Sequence, residues 1–254
     1  MSGLVIITGA NGQLGSHLAK HWAGQNRPLL LLYHRNSDRI DELRKRPGIC
    51  LKSCDLRDLD ALKTALEEGC RQLDALPSGL IHTAAIRSYD SKILAEGDPA
   101  IFNDVFSTNV TMAYNAVRAC LPGMMERQFG RMVLMGSNVV EIGLHSGSAY
   151  AAAKAAIVNL VRSVALEAAG SNVLINAISP APVETDLASD YEGEYLAFRQ
   201  RYFERYKKMS PTGKLISLEE LRLTIEFLLD ARLQNLTGQN LILDGGLSAP
   251  LLGP

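Results

Sequence analysis

Short, unbroken apolar runs recur along the whole chain, each separated from the next by a longer segment of helical period. The runs lie at Leu4–Thr8, Leu29–Tyr33, Ile49–Ser53, Gly79–Thr83, Arg131–Met135, Val173–Ile178 and Asn240–Leu243. Most lack the polar alternation of a half-exposed strand, which is the mark of parallel strands covered on both faces. The intervening segments predict helices near Gln13–Ala23, Asp38–Lys45, Asp58–Leu73, Ile101–Gln128, Ser148–Ala168 and Leu218–Asp230, with Ser37 and Asp58 as caps. Such alternation implies an α/β fold, a doubly wound parallel sheet of about seven strands with helices on both faces.

No repeat, low-complexity tract or linker divides the chain, so residues 1–254 are expected to form a single domain. The polar stretch from Pro182 to Pro211 breaks the alternation and is expected to leave the sheet edge as an excursion. A hydrophobic fraction of 47% against 21% charged excludes general disorder. Lysine plus arginine total 26 and aspartate plus glutamate 27, a balance that offers no field to hold nucleic acid or an anionic membrane. No continuous apolar run approaches the roughly 18–20 residues of a bilayer span, and no leader is expected, because Leu4–Ile7 runs straight into a glycine-rich turn. Four cysteines without His or a second Cys pair at zinc spacing predict reduced thiols, a cytoplasmic setting and no metal.

The first run ends in Thr8-Gly9-Ala10-Asn11-Gly12-Gln13-Leu14-Gly15 and a helix follows. Glycines in that position permit a tight turn and let backbone amides approach a pyrophosphate, which then sits against the helix N-terminus. This is the phosphate turn of a Rossmann-like sheet. The second run ends in Tyr33-His34-Arg35-Asn36, with no acid until Asp38. An acid there would favour a free ribose 2′-hydroxyl, whereas an arginine suits a 2′-phosphate. NADP is therefore the expected cofactor in preference to NAD, with Arg35 on the phosphate.

Further along stand Gly136-Ser137 and then Ser148-Ala149-Tyr150-Ala151-Ala152-Ala153-Lys154. Tyr150 and Lys154, four apart on a predicted helix, share one face. A free phenol titrates near about 10, and a neighbouring ammonium favours its anion. Ser137 follows a predicted sheet strand, at the carboxyl end where such sheets place their ligands.

Taken together these motifs resemble the short-chain dehydrogenase/reductase superfamily in its single-domain form, and its 3-oxoacyl-carrier-protein-reductase-like members in particular. The resemblance covers nearly the whole chain. It rests on Thr8-Gly9 to Gly15, Cys54-Asp55-Leu56, Ala84, Asn109-Val110, Ser137, Tyr150 with Lys154, Asn176 to Pro180, Thr185, and Leu236 to Gly246.

The resemblance implies hydride transfer between a nicotinamide and a ketone or secondary alcohol, small or carrier-bound. Tyr150 would be the general acid or base, and Lys154 would tune it and hold the nicotinamide ribose. Ser137 would bond the substrate oxygen, and Asn109 would hold a water that relays protons. The cofactor would lie along Gly9, Asn11, Gly12, Gln13, Leu14 and Gly15, between Asp55 and Leu56 at the adenine, past Ala84, to Pro180, Val183 and Thr185 near the carboxamide. A homodimer or homotetramer through the helices Ile101–Gln128 and Ser148–Ala168 is implied as well.

The chain departs from the family pattern at Gln13, where the usual turn has glycine, and at Ala181, often glycine. The spacing Gly9, Gly12, Gly15 and the run His82-Thr83-Ala84-Ala85 resemble the longer, sugar-modifying branch. A nucleotide-sugar epimerase or dehydratase, and a catalytically silent NADP-binding regulator, are the alternatives. The stretch Leu187–Lys208, which mixes Tyr191, Tyr195, Phe198, Tyr202, Phe203 and Tyr206 with Arg199, Arg201, Arg205, Lys207 and Lys208, is expected to act as a substrate lid. Its basic residues either meet an anionic substrate or carrier or, as is expected of most of them, lie on a solvated face, and Val139, Ile142 and Leu144 are expected to shape the pocket.

Overall fold

A computed structural model describes residues 3–25, 27–87 and 91–249. Strands β1 (Leu4–Thr8), β2 (Leu29–Tyr33), β3 (Ile49–Ser53), β4 (Pro77–His82), β5 (Gly130–Met135), β6 (Val173–Pro180) and β7 (Asn240–Leu243) form one sheet in the order β3-β2-β1-β4-β5-β6-β7. Every pairing is parallel. The order reverses between β1 and β4, and a crevice opens there beyond the carboxyl ends of the strands.

The two faces of β1 explain its unbroken apolar run. Leu4 and Ile6 pack into the cluster beneath one helical layer, whereas Val5 and Ile7 pack into the cluster on the other side. Every residue of the strand is buried, so no position is left for a polar side chain facing water. One layer consists of α2 (Leu59–Leu73), α3 (Pro99–Glu126) and α5 (Ser148–Ala168); α1 (Gln13–Trp22) and α7 (Leu218–Leu228) build the other. Two further elements, the short α4 (Val139–Ile142) and the 17-residue α6 (Gly193–Met209), sit near the carboxyl end of the sheet.

Local chemistry sets several boundaries. The Asp58 carboxylate caps α2 by accepting from the amides of Asp60 and Ala61, and Asp98 caps α3 just before a proline. At α7, Ser217 and Glu220 form a reciprocal capping box. By composition alone the helix Ser148–Ser171 is long and apolar enough to cross a membrane. Its apolar stripe, including Ile157, Val158, Val161 and Ala165, is instead buried in the core.

The helix expected over Asp38–Lys45 does not form. Only a single 3₁₀ turn, Asp41–Leu43, occurs there. The amide of Arg39 is spent on the Asn11 side chain at 2.9 Å, and the Ser37 hydroxyl donates to the Asp41 carboxylate, not to the backbone. The expected excursion after β6 contains structure of its own. Val183 bridges Ile216, a 3₁₀ turn follows at Leu187–Ser189, and then α6 runs for 17 residues.

Candidate active site

The phosphate turn is shaped by bare backbone. Gly9 has φ +67°, and a Cβ there would meet the Ala84 amide nitrogen at 2.7 Å, so the loops after β1 and β4 touch only because that residue is glycine. A Cβ on Gly15 would meet the Gly9 carbonyl at 2.4 Å, which closes α1 down onto the turn. The first amides of α1 have no partners within the helix and carry its positive dipole end.

Beside this turn runs a groove of ≈ 570 Å³, lined by Gly9, Asn11, Gly12, Arg35, Asp55, Leu56 and Ala84 among others. A glycine floor, a helix N-terminus and a basic rim suit a dinucleotide. The sequence-predicted residues diverge in detail. Leu14 packs into the core, and Gln13 turns away from the groove to the segment after β6. Asp55 is clasped by Arg57, with Nη2 to Oδ2 at 2.6 Å, and this pairing holds its carboxyl down at about 2. Arg35 forms no ion pair among the described residues, so its charge is uncommitted at the groove. Arg39 and Arg57, not singled out from the sequence, line the same groove. Arg39 contributes its backbone amide to Asn11 and its guanidinium to Asp190 at 2.7 Å. Nothing in the spacing of Arg39 marks it, because its partners lie 28 and 151 residues away.

A second cavity, of ≈ 120 Å³, is lined by Ser137, Val139, Leu144, Tyr150, Pro180 and Val183, and by side chains of α6. The alanine-rich start of α5 lets this helix lie close beneath β5. Lys154 consequently runs inward, is 2% exposed, and donates from Nζ to the Met135 carbonyl at the end of β5 at 2.7 Å. Its Nζ stands 5.6 Å from the centre of the Tyr150 ring. Burial pulls the Lys154 ammonium below its ordinary range, and Tyr150 opposes that effect. Ser137, at the end of β5, is buried and opens into the cavity with Tyr150.

Asn109 sits on α3 with both ends of its amide engaged. Nδ2 donates to the carbonyls of Ile86 at 2.9 Å and Val105 at 2.7 Å, while Oδ1 accepts from the Ile86 amide at 3.1 Å. It thus pins the segment after β4 that bounds the groove. Thr185 turns its hydroxyl to the Val183 carbonyl at 3.3 Å and does not line the cavity. Ile142, expected in the pocket, is 44% exposed and lines a neighbouring groove. From the lid stretch Tyr195, Phe198, Arg199, Tyr202 and Phe203 do reach the cavity, as does Arg87 from beyond β4, which the sequence did not single out.

Residues 9–248 match the family model described as Enoyl-(Acyl carrier protein) reductase. The chain is 28% identical over 202 residues to the 3-oxoacyl-[acyl-carrier-protein] reductase FabG of Vibrio harveyi, covering 79% of this chain and 77% of that one. It is 30% identical over 258 residues to the oxidoreductase UcpA of Salmonella typhimurium, covering 96% and 94%. Among solved structures, ElxO with NADP bound superposes with a TM-score of 0.85 at 22% identity, over 97% of this chain and 99% of that one.

Proposed function

The chain belongs to the short-chain dehydrogenase/reductase family of oxidoreductases, and from that premise we propose that it moves hydride between NADP(H) and a ketone or secondary alcohol. The observation that carries this reading is the pairing of Tyr150 with a buried Lys154, 5.6 Å from the ring, in the cavity that Ser137 also lines.

A bound nicotinamide supplies or accepts the hydride. The chain's own residues manage the proton and the charge. Ser137 donates its hydroxyl to the substrate oxygen and orients the carbonyl. Tyr150 gives its phenolic proton to that oxygen as negative charge develops there, and in the reverse direction takes it back. Lys154, held by the Met135 carbonyl, keeps a positive charge beside the phenol and stabilises the phenolate left behind. Asn109 keeps the Ile86 backbone in position at the wall of the cofactor groove. The glycines of the turn and the amides of α1 receive the pyrophosphate, Leu56 and Asp55 flank the adenine, and Arg35 takes the 2′-phosphate. Pro180 and Val183 bound the nicotinamide end. The protein works as one domain, with residues 187–210 as the lid, in the cytoplasm, and as a dimer or tetramer through α3 and α5.

That ElxO is solved with NADP bound supports the choice of cofactor. A panel of ketones tests the reading directly. The expected result is net NADPH oxidation in step with alcohol formation, and faster turnover with NADPH than with NADH. Product formed without net cofactor change would mean epimerisation or dehydration instead, and cofactor binding without turnover would mean a regulator.

A further inference from the structure

We infer that the substrate of this enzyme carries a small anionic group, a carboxylate, sulfonate or phosphate, which Arg199 and Arg87 bind in the cavity beside Tyr150 and Ser137. This rests on the oxidoreductase reading of the same site.

Both arginines line that cavity, and neither lines the groove assigned to the cofactor. They flank a single aromatic ring. The guanidinium carbons of Arg87 and Arg199 lie 5.5 Å and 5.7 Å from the centre of Tyr191, and Arg87 also donates to the Tyr191 hydroxyl. Arg199 is further enclosed by the rings of Tyr202 at 5.6 Å and Phe203 at 5.1 Å. Its Nε is buried and has no hydrogen-bond partner among the described residues. Nor does any carboxylate among those residues come within ion-pair distance of either guanidinium. The other enclosed arginines are better provided for: Arg222 takes Glu219 at 2.5 Å and Glu226 at 2.6 Å, and the buried Arg131 donates to the carbonyls of Asn172 at 2.9 Å and Leu233 at 2.7 Å.

Two cations that share a ring and lack an acid repel each other. Aromatic faces repay only part of the hydration that Arg199 has lost. Burial, and after it the charge of Arg87, both press the Arg199 guanidinium below its ordinary value. A guanidinium does not deprotonate in proteins, so the cost persists until an anion arrives. An acidic carrier surface cannot fill this role, because the arginine lies within an aromatic-walled cavity. A substrate headgroup small enough to enter can, with planar forked hydrogen bonds to its oxygens. The cavity would then fix the anion at α6 and present the carbonyl to Ser137 and Tyr150.

Four ketones that differ only in the headgroup test this: acetoacetate, 2-oxopropanesulfonate, hydroxyacetone phosphate and the neutral methyl acetoacetate. Calorimetry in the presence of NADP⁺ reads binding without turnover, and NADPH oxidation reads reduction. At least one anion should bind about 10- to 100-fold more tightly than the ester, and which one identifies the headgroup. Arg199→Met and Arg87→Met should each reduce that preference about tenfold, with Arg199→Lys retaining part of it. Arg87 is exposed and touches Tyr191 but not Tyr202 or Phe203, so its variant leaves the α6 rings around Arg199 in place. Equal binding of the ester and all three anions, or a preference that survives in both methionine variants, overturns the anion site. Reduction of all four probes at equal efficiency does so too, and leaves the oxidoreductase reading standing. Tight anion binding with no probe reduced upholds the anion site and counts against the reductase reading.

Discussion

Gln13 grips Asp186 with both ends of its side-chain amide, Nε2 donating to the Asp186 carbonyl at 2.7 Å and Oε1 accepting from its amide at 2.8 Å. The same Nε2 reaches the Asp190 carboxylate at 2.8 Å, which Arg39 holds from the other side at 2.7 Å. The residue standing where the family's turn has glycine therefore fastens that turn to the segment that leads into α6. Loss of these bonds at a half-exposed site costs about 1–2 kcal/mol locally. In Gln13→Ala, amide exchange over residues 186–190 should accelerate about 5- to 30-fold while β1 keeps its protection. Unchanged exchange over 186–190 would mean this segment is held by other contacts.

Arg35 is the test of cofactor choice. A charge-assisted contact to a 2′-phosphate contributes about 1.5–3 kcal/mol, and NADH lacks that phosphate. Arg35→Ser should raise KM for NADPH about 10- to 100-fold and change KM for NADH less than about threefold. Parallel effects on both cofactors would remove Arg35 from this role and move it to Arg39 or Arg57 in the same groove.

His82 gives the fold a pH dependence. It is fully buried on β4, bonded through Nδ1 to the Thr8 hydroxyl at 2.8 Å, and burial with the nearby Lys154 charge pushes its imidazole down to about 3. In the unfolded chain an imidazole titrates near about 6.5. Between those values the unfolded state binds more protons, so stability is complete above the upper one and falls as the pH drops towards the lower. The slope is about 1.4 kcal/mol per pH unit. Urea unfolding at pH 7 and pH 5 should show the protein losing about 2 kcal/mol more than His82→Gln does. An equal loss in both would assign the pH dependence to other groups.

The sheet was legible because most of its strands, all but the edge strand β7, are buried on both faces over much of their length. β1, β2, β3 and β7 have the bounds that their apolar runs predict. The 3₁₀ turn that stands in place of a helix over Asp38–Lys45 was not, since the Arg39 amide goes to Asn11, a contact between residues far apart in sequence. Helix α6 was read as a polar excursion for a related reason. Its sequence is aromatic and basic without an apolar stripe, and only Phe203 and Tyr206 are buried. Of its charges, Arg201, Arg205 and Lys208 face solvent as expected, while Arg199 turns into the cavity. Spacing puts Tyr150 and Lys154 on one helix face, but such a pair is common by chance, and only Ser137 at the end of a strand and the glycine turn in the same sheet single it out. That Met135 would hold the lysine, and Asp186 the glutamine of the turn, depends on strand ends and loops meeting in space.

The most direct measurement is made on Tyr150→Phe, which keeps the ring beside Lys154 and removes only the phenolic hydroxyl. It should bind NADPH with the affinity of the unmodified protein, by fluorescence titration, and reduce its ketone about 10²- to 10⁴-fold more slowly in kcat. A kcat within about threefold of the original, with NADPH still bound, would contradict proton transfer by this phenol and with it the acid–base role of the Tyr150 and Lys154 pair.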